Sequence, residues 1–222
     1  MVRLSEDDSV PRVDDAADRH MRLCNQILNA NKYANTLMSF YNDMMAKKSA
    51  LKAAQRNLNS ALDIVKLFDT GLDDLLRDVQ GKAKEYDRNH PGSNTASLIF
   101  PDGNITSIVT LPDKDEPEAA HGIALKIKSL GVEHVLYPNA ALIEAAVEKC
   151  KTALQQHTDA TTALGEANIT LAISKVTLVR KYNANYFIAA SDVDKNFAEK
   201  LFPKLDPPKK KKGGTTLTDP TK

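Results

Sequence analysis

Tryptophan is absent, cysteine occurs twice, and glycine occurs nine times with only Gly213 and Gly214 adjacent. With glycine this sparse there is no phosphate-cradling Walker loop, no Gly-rich dinucleotide fingerprint and no nucleophile elbow. Each of those needs glycines at close, fixed spacing so that backbone can approach a ligand or turn sharply. Cys24 and Cys150 sit in strongly helical surroundings and form no metal or redox motif with each other, so both read as buried free thiols. A surplus of one charge is also missing: 30 Lys and Arg stand against 29 Asp and Glu, a formal charge of +1. That balance supplies no overall field to draw the chain onto nucleic acid or an anionic membrane. The local exception is the run Lys209, Lys210, Lys211 and Lys212, which offers weak, salt-sensitive phosphate binding and reads mainly as a solubilising tail.

Long hydrophobic runs are missing as well. No segment approaches the ~18 apolar residues of a membrane span, and MVRLSEDDSVPRVDD at the start has no apolar stretch to serve as a signal-peptide core. The expected location is therefore cytoplasmic.

What is present is helical periodicity. Residues 1–13 read as a flexible lead-in. From Asp14 or Asp15, either a fitting N-cap, apolar residues recur at alternating steps of four and three as far as Arg88. The track includes Leu37, Tyr41, Leu58, Leu62, Val65, Leu72 and Leu76, and is interrupted only at Lys48, Gln55 and Asp69. An unbroken helix of this length is on the order of 95 Å long. Gly71, beside Asp69, is its weak point for a kink or break. A second track after Pro138-Asn139 includes Val147, Leu154, His157, Leu164, Leu171 and Leu178, and carries Gly165 as its own weak point. Parallel apolar stripes widen both tracks, which suits a bundle better than a two-stranded seam. These thirteen residues are the expected interface or seam.

Between the arms, ASLIFPDGNITSIVTLP reads as a β-hairpin: SLIF and ITSIV are β-rich, and Pro101, Asp102, Gly103 and Asn104 supply turn chemistry. A helix opening near Pro117 and closing at Gly131 follows, then VEHVLY as a third short strand. The expected fold is mainly α: two long antiparallel helical arms at 14–90 and 139–202, and a small β-β-α-β insert at 94–138 forming the tip. A short terminal helix completes the second arm, followed by a disordered Lys-rich tail at 203–222.

The residue patterns that could carry chemistry are isolated. Asp69-Thr70-Gly71 matches an aspartic-protease triplet but has no second copy. Glu118 and His121 have the spacing of one di-iron ligand pair without the other ligands such a site needs. His20 and Cys24 form one ligand pair, too few for a structural zinc site. His157 on the second seam reads as a register or partner-choice residue. No motif ties the chain to a known family; the order helix, β insert, helix resembles the layout of prefoldin-type chaperone subunits and nothing more. The expectation is a non-enzymatic structural or protein–protein interaction module that self-associates or binds another protein, with no cofactor. The alternatives are a holdase-like chaperone, or a metal-binding bundle enzyme in which His20, Glu118, His121 or His157 converge.

Overall fold

The computed structural model describes residues 4–103 and 105–202. Helix accounts for 82% of them, and no strand is present among them. In chain order the helices are α1 (Val10–Gln26), α2 (Asn31–Asn89), α3 (Thr95–Ile99), α4 (Thr106–Val109), α5 (Glu116–Ser129), α6 (Tyr137–Asp192) and α7 (Lys195–Leu201). The chain divides into two compact units: the first draws on residues up to Leu51 and from Ala167 onward, the second on Lys52–Glu166. The two long helices α2 and α6 contribute to both, and each stays helical through its glycine, Gly71 or Gly165.

In the first unit, α1 starts at Val10 behind Ser9, with Pro11 in its first turn, where a missing N–H costs nothing. The lead-in expected at 1–13 is thus partly helical, and Leu4 and Val13 are buried. The chain leaves α1 through extended Ile27 and turns at Asn29, whose φ of 64° is one that asparagine tolerates better than most residues. α2 and α6 run antiparallel here: Lys32 pairs with Asp192, and the Ser174 hydroxyl donates to Asp43 Oδ2 at 2.6 Å. α1 lies on the Tyr41–Lys48 side of α2, where Tyr41 Oη and Lys48 Nζ both donate to the Asp14 carboxylate. The core joins Val13 and Ala17 to Leu37, Met44, Leu178, Tyr182, Leu201 and Phe202. Each such leucine, fully buried, contributes about 1.5–3 kcal/mol. Asp194 caps α7, accepting from Phe197 N at 2.7 Å.

The second unit corrects the expected β-β-α-β insert. Its segments are the short helices α3 and α4, the longer α5, and a turn-rich connection from Leu130 to Leu136. The burial pattern gives the reason. Thr95 and Ile99, four residues apart, are both buried, and so is Phe100 immediately after Ile99, whereas Leu98 is exposed. A strand would send Ile99 and Phe100 to opposite faces and Leu98 to the same face as Phe100. Val132 and Leu136 would likewise share a strand face, yet one is exposed and the other buried. The decisive helix signal is remote: the Asp87 carboxylate, near the end of α2, accepts from Thr95 N at 2.8 Å, Ala96 N at 2.9 Å and the Ser93 hydroxyl at 2.6 Å. β-branched content follows burial here rather than strand conformation.

With the strands gone, the layout shared with prefoldin-type subunits goes too. Ile123, Ala124 and Ile127 of α5 close the second core against Leu72, Leu76, Val79, Ile143 and Val147. Asn104 of the expected turn and the tail at 203–222, with Lys209 to Lys212, lie outside the described residues. Among the described residues no helix is long and apolar enough to cross a membrane.

Candidate functional site

The expected seam residues fall into two burial classes. In the first unit Leu37, Leu171 and Leu178 are buried and Tyr41 is half-buried. In the second, Val65, Leu72, Leu76 and Val147 are buried beneath the helices of the insert, while Leu58, Leu154, His157 and Leu164 are half-buried and Leu62 is exposed.

Beside the buried seam each unit carries an open groove. In the first it is about 470 Å³, lined by Phe40, Asp43 and Lys47 of α2 and by Thr170, Ile173 and Thr177 of α6. The α2 residues stand one position before Tyr41, Met44 and Lys48, so they lie a step around the helix from the side that α1 occupies. Ile169 and Ile173 are each 62% exposed, and the Lys181 ammonium stands 5.2 Å over the Phe40 ring. The groove of the second unit is about 490 Å³ and lies among Ile64, Leu67, Phe68, Thr152 and Ala153. Both are wide enough for large side chains, and both mix apolar walls with one acid and one base.

Each unit also encloses a polar knot. In the first it centres on His20, which is fully buried. Its Nδ1 lies 3.0 Å from the Leu201 carbonyl oxygen, which can only accept, so the ring proton sits on Nδ1. That leaves Nε2 as an acceptor facing the Cys24 thiol at 3.6 Å and Asn185 Nδ2 at 3.5 Å. Asn185 gives its stronger bond to the Tyr33 carbonyl at 2.6 Å. Phe202 stacks on the imidazole at 4.0 Å, and Tyr182 meets it edge-on at 5.6 Å. Burial lowers the His20 pKa against the opposing pull of its backbone bonds, and burial pushes the Cys24 thiol up to about 11. A neutral imidazole beside a protonated thiol is the reverse of an activated Cys–His nucleophile. The arrangement fastens α7 to α1.

In the second unit Asp69 and Asp73, one turn apart on α2, face Glu116 in the first turn of α5. Glu116 is 2% exposed. Its Oε1 and Asp73 Oδ1 are buried without a hydrogen-bond donor. The other Asp73 oxygen accepts from Arg77 at 3.0 Å. Val65, Leu72, Pro117, Cys150 and Leu154 wall off the site, with Asp113 at its edge, around a space of about 10 Å³. Burial first, then the Asp69 hydrogen bond and the charges of Asp69 and Asp73, push the Glu116 pKa up to about 8. The N-terminal dipole of α5 works the other way, but at about 0.3–1 kcal/mol it is outweighed by burial of a charge, which costs several kcal/mol. The same carboxylates and burial raise the Cys150 thiol to about 11.

The isolated patterns remain apart. Asp69 of the protease-like triplet faces Glu116 from the middle of a helix. Glu118 pairs with Lys151 at 3.6 Å, and His20 belongs to the first unit whereas Glu118, His121 and His157 belong to the second. Among the described residues no group of three or more His, Cys, Asp or Glu is disposed to hold a metal ion. Compared with protein-family profiles, curated proteins and solved structures, the chain matches none.

Glu116, Asp73, Asn185 and Phe202 are the members of the two knots that the sequence pattern did not single out. In the second knot Asp69 carried the visible signal, a carboxylate on a mostly apolar track.

Proposed function

We propose that the chain is a non-enzymatic, cytoplasmic helical scaffold that binds a protein partner along the open flank of the α2–α6 pair. The observation that carries this reading is the groove of the first unit. Ile173 stands mostly in solvent and lines the groove with Phe40, and Ile169, one turn earlier on the same face of α6, is equally exposed. Isolated exposed leucines are ordinary, but two exposed isoleucines one helical turn apart, one of them lining a groove, fit the spacing of anchors in helix-in-groove recognition. The apolar stripe is broader than the neighbours inside the unit cover, and a partner helix supplies the missing cover. The Asp43 and Lys47 charges in the groove select orientation rather than add much affinity.

The test uses the full chain with a photo-crosslinking residue at position 173 and, as control, at Arg22, which is paired to Asp18 on the surface. Sedimentation over a wide concentration range is run on the same protein. The reading expects either a concentration-dependent dimer or a distinct protein captured from cells through position 173, in both cases abolished by Ile169→Lys with Ile173→Lys. A chain that stays monomeric and captures no more at 173 than at 22 contradicts it.

A further inference from the structure

The carboxylate knot of the second unit has a chemistry that partner binding does not use. Asp69 and Asp73 come from α2 and Glu116 from α5; Asp69 and Glu116 line one small space, and both aspartates lie close enough for their charges to bear on Glu116. Oxygens of Glu116 and Asp73 are enclosed with no donor, and an ionised carboxylate can only accept. Glu116 is almost fully buried and Asp69 and Asp73 are half-buried against it around a space of about 10 Å³. Acceptors that face one another there are held together by a donor, and the smallest donor is a proton carried by one of them.

We propose that Asp69, Asp73 and Glu116 share a proton that docks the start of α5 onto α2 and α6, so that its loss in mild alkali loosens α5 and makes this unit a pH-sensitive latch. On deprotonation the acid O–H bond breaks, the proton passes to solvent base, and the electron pair stays on the carboxylate, leaving like charges face to face.

The charged and titratable surroundings reinforce this. From α2, Arg77 engages only the far oxygen of Asp73 and its neighbour Asp74. From the segment before α5, Asp113 adds another carboxylate at the edge. Asp115 immediately precedes α5, and on α5 itself Glu118 is taken up by Lys151 of α6. From α6 the facing group is Cys150, a protonated thiol at neutral pH. Glu116 Oε1 has no hydrogen-bond partner, cationic or neutral, among the described residues.

The sign follows from the raised value. Unfolded, Glu116 releases its proton near 4.5, and folded near 8. Between these the folded state holds the extra proton, so the contribution is full on the acid side and is lost as pH rises through 8. The folding constant of the second unit is expected to fall roughly twentyfold between about pH 6.5 and about pH 8.5, a window that lies above the acid-side effect of His20.

The experiment measures urea unfolding by circular dichroism, together with the labelling rate of Cys150 in a Cys24→Ser background. Each rate is divided by that of the unfolded chain at the same pH. The expected result is that alkaline pH lowers stability and accelerates Cys150 labelling, and that Glu116→Gln removes both effects while remaining folded at pH 8.5. Asp69→Asn serves as the second variant and is expected to weaken both effects in the same direction. The same pH dependence in Glu116→Gln and Asp69→Asn as in the parent chain overturns the proposal. So does a gain in stability from added calcium at pH 8.5 that Glu116→Gln abolishes, since a cation and not a proton then fills the knot.

Discussion

The two units bury polar groups of opposite kinds. Around His20 both ring nitrogens find a complement: the N–H meets a carbonyl, the other nitrogen meets a thiol and an amide, and two aromatic rings close the top and side, the Tyr182 hydroxyl being the one buried group there without a partner. Around Glu116 three carboxylates meet one another. At the imidazole the first arrangement is satisfied as built, and it couples α1, α6 and α7 as long as the ring stays neutral. The second is complete only with a proton in it, which makes α5 conditional. A matched donor–acceptor set rigidifies, whereas a set of acceptors responds to its surroundings.

The largest effect separating the two is expected from His20→Ala. It opens a cavity under Phe202 and strands the Leu201 carbonyl, so it should destabilise the chain by about 3 kcal/mol in urea unfolding. Its counterpart Glu116→Gln has the opposite sign: replacing a buried acid by a neutral isostere should raise stability at alkaline pH by roughly 1–3 kcal/mol. If both substitutions destabilise at every pH, the contrast between the knots fails.

A smaller effect concerns acid. The folded-state pKa of His20 is lowered by burial, so the unfolded chain takes up the extra proton. The contribution is present above about 6.5 and lost as pH falls, at up to tenfold in folding constant per pH unit. His20→Gln should flatten this acid limb and leave the alkaline limb of Glu116 in place. More local still, Asp87→Ala removes the acceptor of the Thr95 and Ala96 amides and should speed hydrogen exchange at the start of α3 without altering α7. The smallest change is expected for Ile173→Lys, within about 0.5 kcal/mol of the parent chain because the side chain already stands in solvent. Its effect is on association alone.

How much of this was legible in the sequence differs by element. The long helices were, because their heptad tracks repeat a local signal many times over: Leu72, Leu76 and Val79 recur on one face and are buried together. The α1–α2 break was not, since Asn29 carries the turn without glycine or proline. Continuity at Gly71 was open in the sequence, because its propensity cost of about 1 kcal/mol is decided by packing of neighbours such as Leu72 and Leu76, which are buried. The insert was misread because SLIF and ITSIV have strand composition, and the residue that starts α3 as a helix, Asp87, belongs to a different element. The knots share that difficulty. His20 and Cys24 are visible as a pair one turn apart, but Leu201, Asn185 and Phe202 reach them only through the fold. Asp69 stood out on its apolar track, and nothing local marked Glu116, in the ordinary acidic first turn of α5, as its partner.

The most direct test of the contrast is a carbon-13 NMR titration of the side-chain carboxyls in the full chain, with Glu116 assigned by comparison with Glu116→Gln. The account predicts that the Glu116 signal titrates near 8, far above the ordinary glutamate range. A Glu116 signal that titrates within the ordinary glutamate range would mean that the second unit holds Glu116 charged at neutral pH, and would contradict the account.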